Sequence, residues 1–312
     1  MEDQPVPEQN IPPPGLPEQA PERPPFLRRM RPSAFALFSL GLVFFLYQLV
    51  GGAVTLLIAN GSLTDIDVDL MRWTTLLGQL ILILIPTLLL ARARYTDLRG
   101  FFKLHVPNYR EVIASTVGMF ALQQLMQGYM LFQDSIPLPP QVQKLIDTFK
   151  ETIDQTYRVL VSAQNPLELL FVVFTVALVP AVCEELLFRG LVQGSLERAV
   201  GGLRAAIIAG VIFGAYHLNP FSLVPLVLLG VYFGYLVHRS RNLTVAISAH
   251  FFNNFIACIA LYLHVNDDFI VLAPSGTWTW PILLGNFALF GLVFVAATYY
   301  FIELTRHKNQ QS

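Results

Sequence analysis

Charge is scarce in this chain. Only 13% of its 312 residues are Asp, Glu, Lys or Arg, against about 25% in an ordinary soluble domain, while 54% are hydrophobic. Such a balance excludes a fold solvated mainly by water. Basic residues are also too few to make a nucleic-acid surface: the formal net charge is −1, so a nucleic-acid partner is not expected. Cysteine is nearly absent. Cys183 and Cys258 both lie in strongly apolar stretches, which excludes a disulfide framework and a four-cysteine metal site and leaves them as small packing residues. Nor is there an internal repeat of the kind that marks many transporters.

Long apolar runs are what the chain has in abundance. They cover about Ala34 to Leu57, Trp73 to Leu90, Val112 to Phe132, Leu167 to Leu196, Ala205 to Leu218, Phe221 to Val237, Leu243 to Leu263 and Pro281 to Ile302. A helix needs about 20 apolar residues to cross a bilayer, so the fold class expected is all-α, a polytopic transmembrane bundle of about eight spans. The fifth run is the shortest. The first is too long for a cleavable signal core. Ahead of it, Met1 to Pro25 is rich in Pro, Glu and Gln with almost no large apolar side chain, a composition that reads as a disordered tail. Between Asp134 and Asn165, Val142, Leu145, Ile146, Phe149, Ile153, Tyr157 and Leu160 recur at helical spacing, which predicts an amphipathic helix at the membrane interface, packed on the bundle ends rather than serving as a substrate-gating lid.

Polar groups inside these runs are conspicuous, because ionisable side chains at membrane depth are costly and usually functional. Glu184, Glu185 and Arg189 interrupt the fourth run. On a helix Glu185 and Arg189 are four apart and share a face, while Glu184 points about 100° away. One carboxylate can thus be paired and the other left for chemistry. His217 ends the fifth run, four residues after Phe213; His250 and Asn254, again four apart, lie in the seventh. A hairpin turning near Gly201 puts Glu184 and His217 each about 25 Å along its helix from the turn, at matching depth.

The ordered set EExxxR (Glu184, Glu185, Arg189), FxxxH (Phe213, His217) and HxxxN (His250, Asn254) resembles the CPBP family of intramembrane glutamic endopeptidases, which includes CAAX prenyl proteases such as the Ras-converting enzyme and bacteriocin-processing members. The resemblance covers about Leu167 to Leu263. It implies a peptidase of CAAX-box protein processing in which Glu184 and His217 activate a water, His250 and Asn254 stabilise the oxyanion, and Glu185, Arg189 and Phe213 support the site. It further implies a membrane-associated protein or peptide substrate and no cofactor. The division expected is a cytoplasmic tail (1–32), a transmembrane protease domain (33–306) whose motif-bearing core spans about 166–264, and a short cytoplasmic tail (307–312).

Two other chemistries use the same residues. Glu184, His217 and His250 could ligate zinc, although HExxH is missing and Asn254 is a better oxyanion donor than zinc ligand. Alternatively, the buried groups could serve a transporter, or a scaffold whose Pro-rich tail recruits partners. A cysteine nucleophile is disfavoured because Cys183 points about 100° from Glu184.

With the start placed in the cytoplasm, fifteen basic residues fall on cytoplasmic ends: Arg23, Arg28, Arg29, Arg31, Arg92, Arg94, Arg99, Lys103, Arg110, Arg198, Arg204, Arg239, Arg241, Arg306 and Lys308. Arg72, Lys144, Lys150 and Arg158 fall outside, and Arg189 lies within a span. The positive-inside rule therefore predicts that both termini are cytoplasmic, and the location expected for this multi-pass protein is the plasma membrane. Cysteine-accessibility labelling checks this: a cysteine introduced near Ser312 should resist an impermeant reagent in intact cells, and labelling from outside would reverse the orientation.

Overall fold

The computed structural model describes residues 26–59, 67–263 and 279–309. The Pro-rich stretch through Pro25 and residues 310–312 lie outside the described residues. Nine long helices follow one another among the described residues, with no strand: α1 Pro32–Ile58, α2 Val68–Arg94, α3 Tyr109–Asp134, α4 Pro140–Val161, α5 Pro166–Val200, α6 Gly202–Tyr216, α7 Leu223–Ser240, α8 Leu243–Tyr262 and α9 Trp280–Leu304. Eight of them occupy the eight apolar runs, and α4 is the amphipathic segment. Six (α1, α2, α5, α7, α8 and α9) are long and apolar enough to cross a membrane. α6 is a shorter apolar helix. α3 is interrupted by Gln123, Gln124 and Gln127 and is not among the six.

Local chemistry sets the helix starts. Asp67 accepts from the Leu70 amide, Asn165 from those of Leu167 and Glu168, and Asn242 from that of Thr244, so each side chain satisfies an otherwise unpaired first-turn donor. Pro166 adds a residue whose missing N–H costs nothing at a helix start. Between α5 and α6 the chain reverses at Gly201, whose φ of 85° suits a residue without a Cβ.

Most basic side chains gather at one end of the bundle. Arg94 reaches the carbonyls of Leu27 and Met30, Arg198 lies over the Tyr95 and Phe101 rings, Lys103 and Arg241 both pair with Glu197, and Lys308 pairs with Glu111. At the opposite end α4 is tied down at two places. Lys150 pairs with Asp134, and Arg72 donates to the carbonyls of Leu160 and Ser162 while pairing with Glu168. The apolar stripe Val142, Leu145, Phe149, Ile153 and Tyr157 stays exposed, as an interfacial helix requires.

The closest helix pair is α6 with α7. A Cβ on Gly210 would lie 2.4 Å from the Val231 nitrogen, and one on Gly230 would lie 2.6 Å from the Gly210 carbonyl oxygen. Small residues at such a crossing let two backbones touch, which is how apolar helices associate where lipid removes the hydrophobic drive. Gly210→Ala should therefore force the helices apart and cost about 1–3 kcal/mol. Gly41, on the exposed side of α1, has no atom within 4 Å of its Cβ position, and Gly41→Ala should be neutral. Melting curves in detergent check both; equal stability of the two variants would contradict the close crossing.

Candidate active site

α5 brings the EExxxR residues into the bundle interior. Arg189 Nη1 donates to Glu185 Oε1 at 2.7 Å, and both side chains are fully buried. The four-residue spacing thus makes the expected pair. It also extends further: Arg189 Nη2 donates to the Gly230 carbonyl at 2.9 Å, and His250 Nδ1 lies 2.9 Å from the same Glu185 oxygen. Three aromatic rings close around the cation, with the guanidinium 4.3 Å from the Phe213 centroid, 5.3 Å from Phe233 and 5.9 Å from Phe188. Cation–π contact in a desolvated setting partly replaces the water a guanidinium loses. Phe233 also stacks on His250, with centroids 5.2 Å apart and planes 16° from parallel.

Glu184, one position earlier, faces elsewhere. Its Oε2 lies 3.9 Å from His217 Nε2, as equal depth on either side of the Gly201 turn requires. His217 Nδ1 sits 2.7 Å from the Phe213 carbonyl oxygen. A carbonyl can only accept, so Nδ1 carries a proton and, in the neutral ring, Nε2 presents a lone pair toward Glu184. At 3.9 Å the two do not bond directly. A water placed about 2.8 Å from each atom would bridge them with an angle of about 90° at its oxygen. The side chains of Glu184 and His217 are 13% and 30% exposed, while the Glu185–Arg189 pair is sealed.

His217 stands where it does because α6 stops there. Leu218 adopts a left-handed φ of 52°, and Asn219 precedes Pro220, a position biased away from helix. The Asn219 side chain then accepts from the Phe221 and Ser222 amides, satisfying the turn.

Asn254 is fixed by a gap in α5. Pro180 has no N–H to give the Val176 carbonyl four residues back, and Asn254 Nδ2 donates to that oxygen at 3.2 Å instead. Asn253 Nδ2 donates to Asn254 Oδ1 at 3.1 Å, which orients the amide. One Nδ2 hydrogen of Asn254 is left over. Among the described residues Asn254 forms no direct hydrogen bond with Glu184, His217 or His250. The Phe213 ring joins the two halves, 4.6 Å from the His217 ring and 6.0 Å from the His250 ring by centroids.

Sequence reasoning missed several groups. Gln79, on α2, donates from Nε2 to Glu184 Oε1 at 3.1 Å, and the Tyr47 hydroxyl of α1 lies 3.5 Å from the same nitrogen. The Gly230 and Val176 carbonyls and Phe233 were also unmarked. Gln79 had a signal, being a lone amide in the apolar run from Trp73 to Leu90. Among the described residues, no three His, Cys, Asp or Glu side chains are grouped so that they could hold a metal ion.

Helices of membrane-spanning length around paired carboxylates and imidazoles define an integral membrane protein with a polar centre inside the bundle. Residues 166–256 match the family model of Rce1-like proteins, the type II CAAX prenyl endopeptidases, and the match indicates a peptidase. All seven motif residues fall in the matched segment, and the family is the one that the three motifs resemble. Neither the curated proteins nor the solved structures give a match to the chain.

The buried pair yields a stability prediction. Glu185→Gln leaves Arg189 charged in a low-dielectric setting with only the Gly230 carbonyl and aromatic faces, and breaking such a pair costs about 3–5 kcal/mol. A detergent melting curve should show a large loss. Wild-type stability in this variant would mean the ion pair contributes little.

Proposed function

We propose that this protein is an intramembrane endopeptidase of the glutamic type that cleaves a membrane-associated protein or peptide, with a prenylated CAAX-type chain as the substrate class that the family description suggests. The observation that carries this is the 3.9 Å gap between Glu184 Oε2 and His217 Nε2, a cradle for one polarised water. Both atoms accept hydrogen bonds from that water. As its oxygen attacks the scissile carbonyl carbon, a proton passes to Glu184, with His217 orienting the water and sharing the proton load. The carbonyl oxygen becomes an oxyanion. Asn254 Nδ2, with one hydrogen left over, is a suitable donor to it.

His250 is the second donor, on a stated condition. Its Nδ1 proton is engaged by Glu185, so Nε2 donates only when the ring carries both protons. In that state a positive ring beside a developing oxyanion stabilises the transition state more than the ground state. Collapse then breaks the C–N bond, and the proton held at Glu184 and His217 goes to the leaving amine. An orientation with both termini cytoplasmic, in the plasma membrane, belongs to the same proposal and is supported by the basic side chains gathered at one end.

The test is cleavage of a farnesylated CAAX-type reporter peptide by full-length protein in nanodiscs. Glu184→Gln keeps shape and hydrogen bonding but removes the base, so turnover should fall about 10²- to 10⁴-fold while the melting temperature hardly moves. Thorough treatment with a chelator should leave the wild-type rate intact. Loss of activity in chelator with recovery on zinc would transfer Glu184, His217 and His250 to the role of metal ligands. Full activity of Glu184→Gln would remove the general base.

A further inference from the structure

The water-activating carboxylate is held by a residue outside the matched segment. Gln79 is 4% exposed, in the middle of α2, among Leu and Ile side chains. An amide there loses its hydration, and such groups are retained where they bond to something specific. Its one strong contact is from Nε2 to Glu184 Oε1, and its own Oε1 is buried without a partner. An amide placed for packing alone would gain nothing from this arrangement.

The two Glu184 oxygens are thereby divided. Oε1 takes the Gln79 hydrogen bond, and Oε2 faces His217 Nε2. The last torsion of a glutamate is broad, so a carboxylate without a partner would turn freely and blur the distance to His217. A donor on one oxygen fixes the plane and directs the other oxygen at the water. Two neighbouring contacts hold the frame. Tyr47 OH approaches the Gln79 nitrogen, and Gln48 Nε2 donates at 2.9 Å to the carbonyl of Tyr216, the residue before His217. Tyr47, Gln48 and Gln79 all lie on π-helical turns, Phe45–Gly51 of α1 and Gln79–Leu84 of α2. Wider turns of this kind recur at functional sites because they re-aim side chains.

We infer that Gln79 is a positioning residue for the water-activating pair, setting the rotation of the Glu184 carboxylate so that one oxygen stays aimed at His217. The inference rests on Glu184 acting as the base. It gives α1 and α2, outside residues 166–256, a defined part in the site.

The closing experiment separates the contact from the chemistry. Full-length wild type, Gln79→Met, Glu184→Gln and the double variant are placed in nanodiscs. The infrared difference between wild type and Glu184→Gln isolates the Glu184 carboxylate stretch, whose frequency responds to hydrogen bonding. Gln79→Met, close to isosteric but with no donor, should displace that band. On the farnesylated reporter it should lower kcat about 10- to 100-fold with KM nearly unchanged, as a misplaced catalytic group does. In the Glu184→Gln background it should add no further loss, because the two residues act as one unit. If Gln79→Met does not fold, Gln79→Asn withdraws the donor by one methylene while staying polar, and the same displacement is expected. An unmoved band beside an inactive Glu184→Gln overturns the inference alone. Wild-type cleavage by Glu184→Gln overturns the general-base proposal and the inference with it.

Discussion

A guanidinium and a carboxylate cannot leave water for the interior of an apolar bundle singly, and the pairing of Arg189 with Glu185 is the interaction on which the rest of this structure depends. One oxygen of Glu185 serves both Arg189 and His250, and Arg189 also takes the Gly230 carbonyl, so α5, α7 and α8 are joined at one point. α6 is added through the bare backbone contact of Gly210 with Gly230. Thus the pair anchors His250 directly, and it fixes the position of His217 through α7 and α6. A packing error at the pair would reach the imidazoles, whereas a change at Glu184 would stay local.

Much of this was legible in the sequence because the membrane leaves so few options. Apolar runs fix where helices lie, and eight of the nine long helices fall on them. Spacing of four fixed the partner of Glu185, and counting residues from the Gly201 turn put Glu184 and His217 at one depth. The stripe from Val142 to Leu160 foretold α4. Length is less legible: Ala205 to Leu218 reads as a span, and α6 there has fifteen helical residues because Asn219 and Pro220 stop it. The glutamines of α3 likewise lower its apolarity.

What sequence could not deliver were contacts made by groups without charge. Nothing local says that Gln79 faces Glu184, since they are more than a hundred positions apart and the contact depends on how α2 leans on α5. Backbone acceptors are harder still, because every residue has a carbonyl. Yet the Val176 oxygen had a trace, in that Pro180 must leave a carbonyl unserved one turn earlier. The second role of Glu185, as acceptor for His250, needed the crossing of α5 and α8. A motif reading that divides the two glutamates into one chemical and one structural residue therefore understates the second, which sets the tautomer of an imidazole.

The brevity of α6 has a mechanical consequence. Fifteen helical residues rise about 22 Å, while the hydrocarbon layer is about 30 Å thick. With its Gly202 end at the basic face, this helix stops about 8 Å short of the far side. Lipid beside it meets a hydrophobic mismatch and relieves it by thinning or by admitting water, either at fractions of a kcal/mol per Å. The turn of Leu218 to Ser222 tolerates such a setting because Asn219 serves its amides. Hydrolysis inside a membrane requires a supply of water as much as a base. The shortest helix of the bundle would thin the apolar barrier beside His217, and hydration of the centre would then follow from a length.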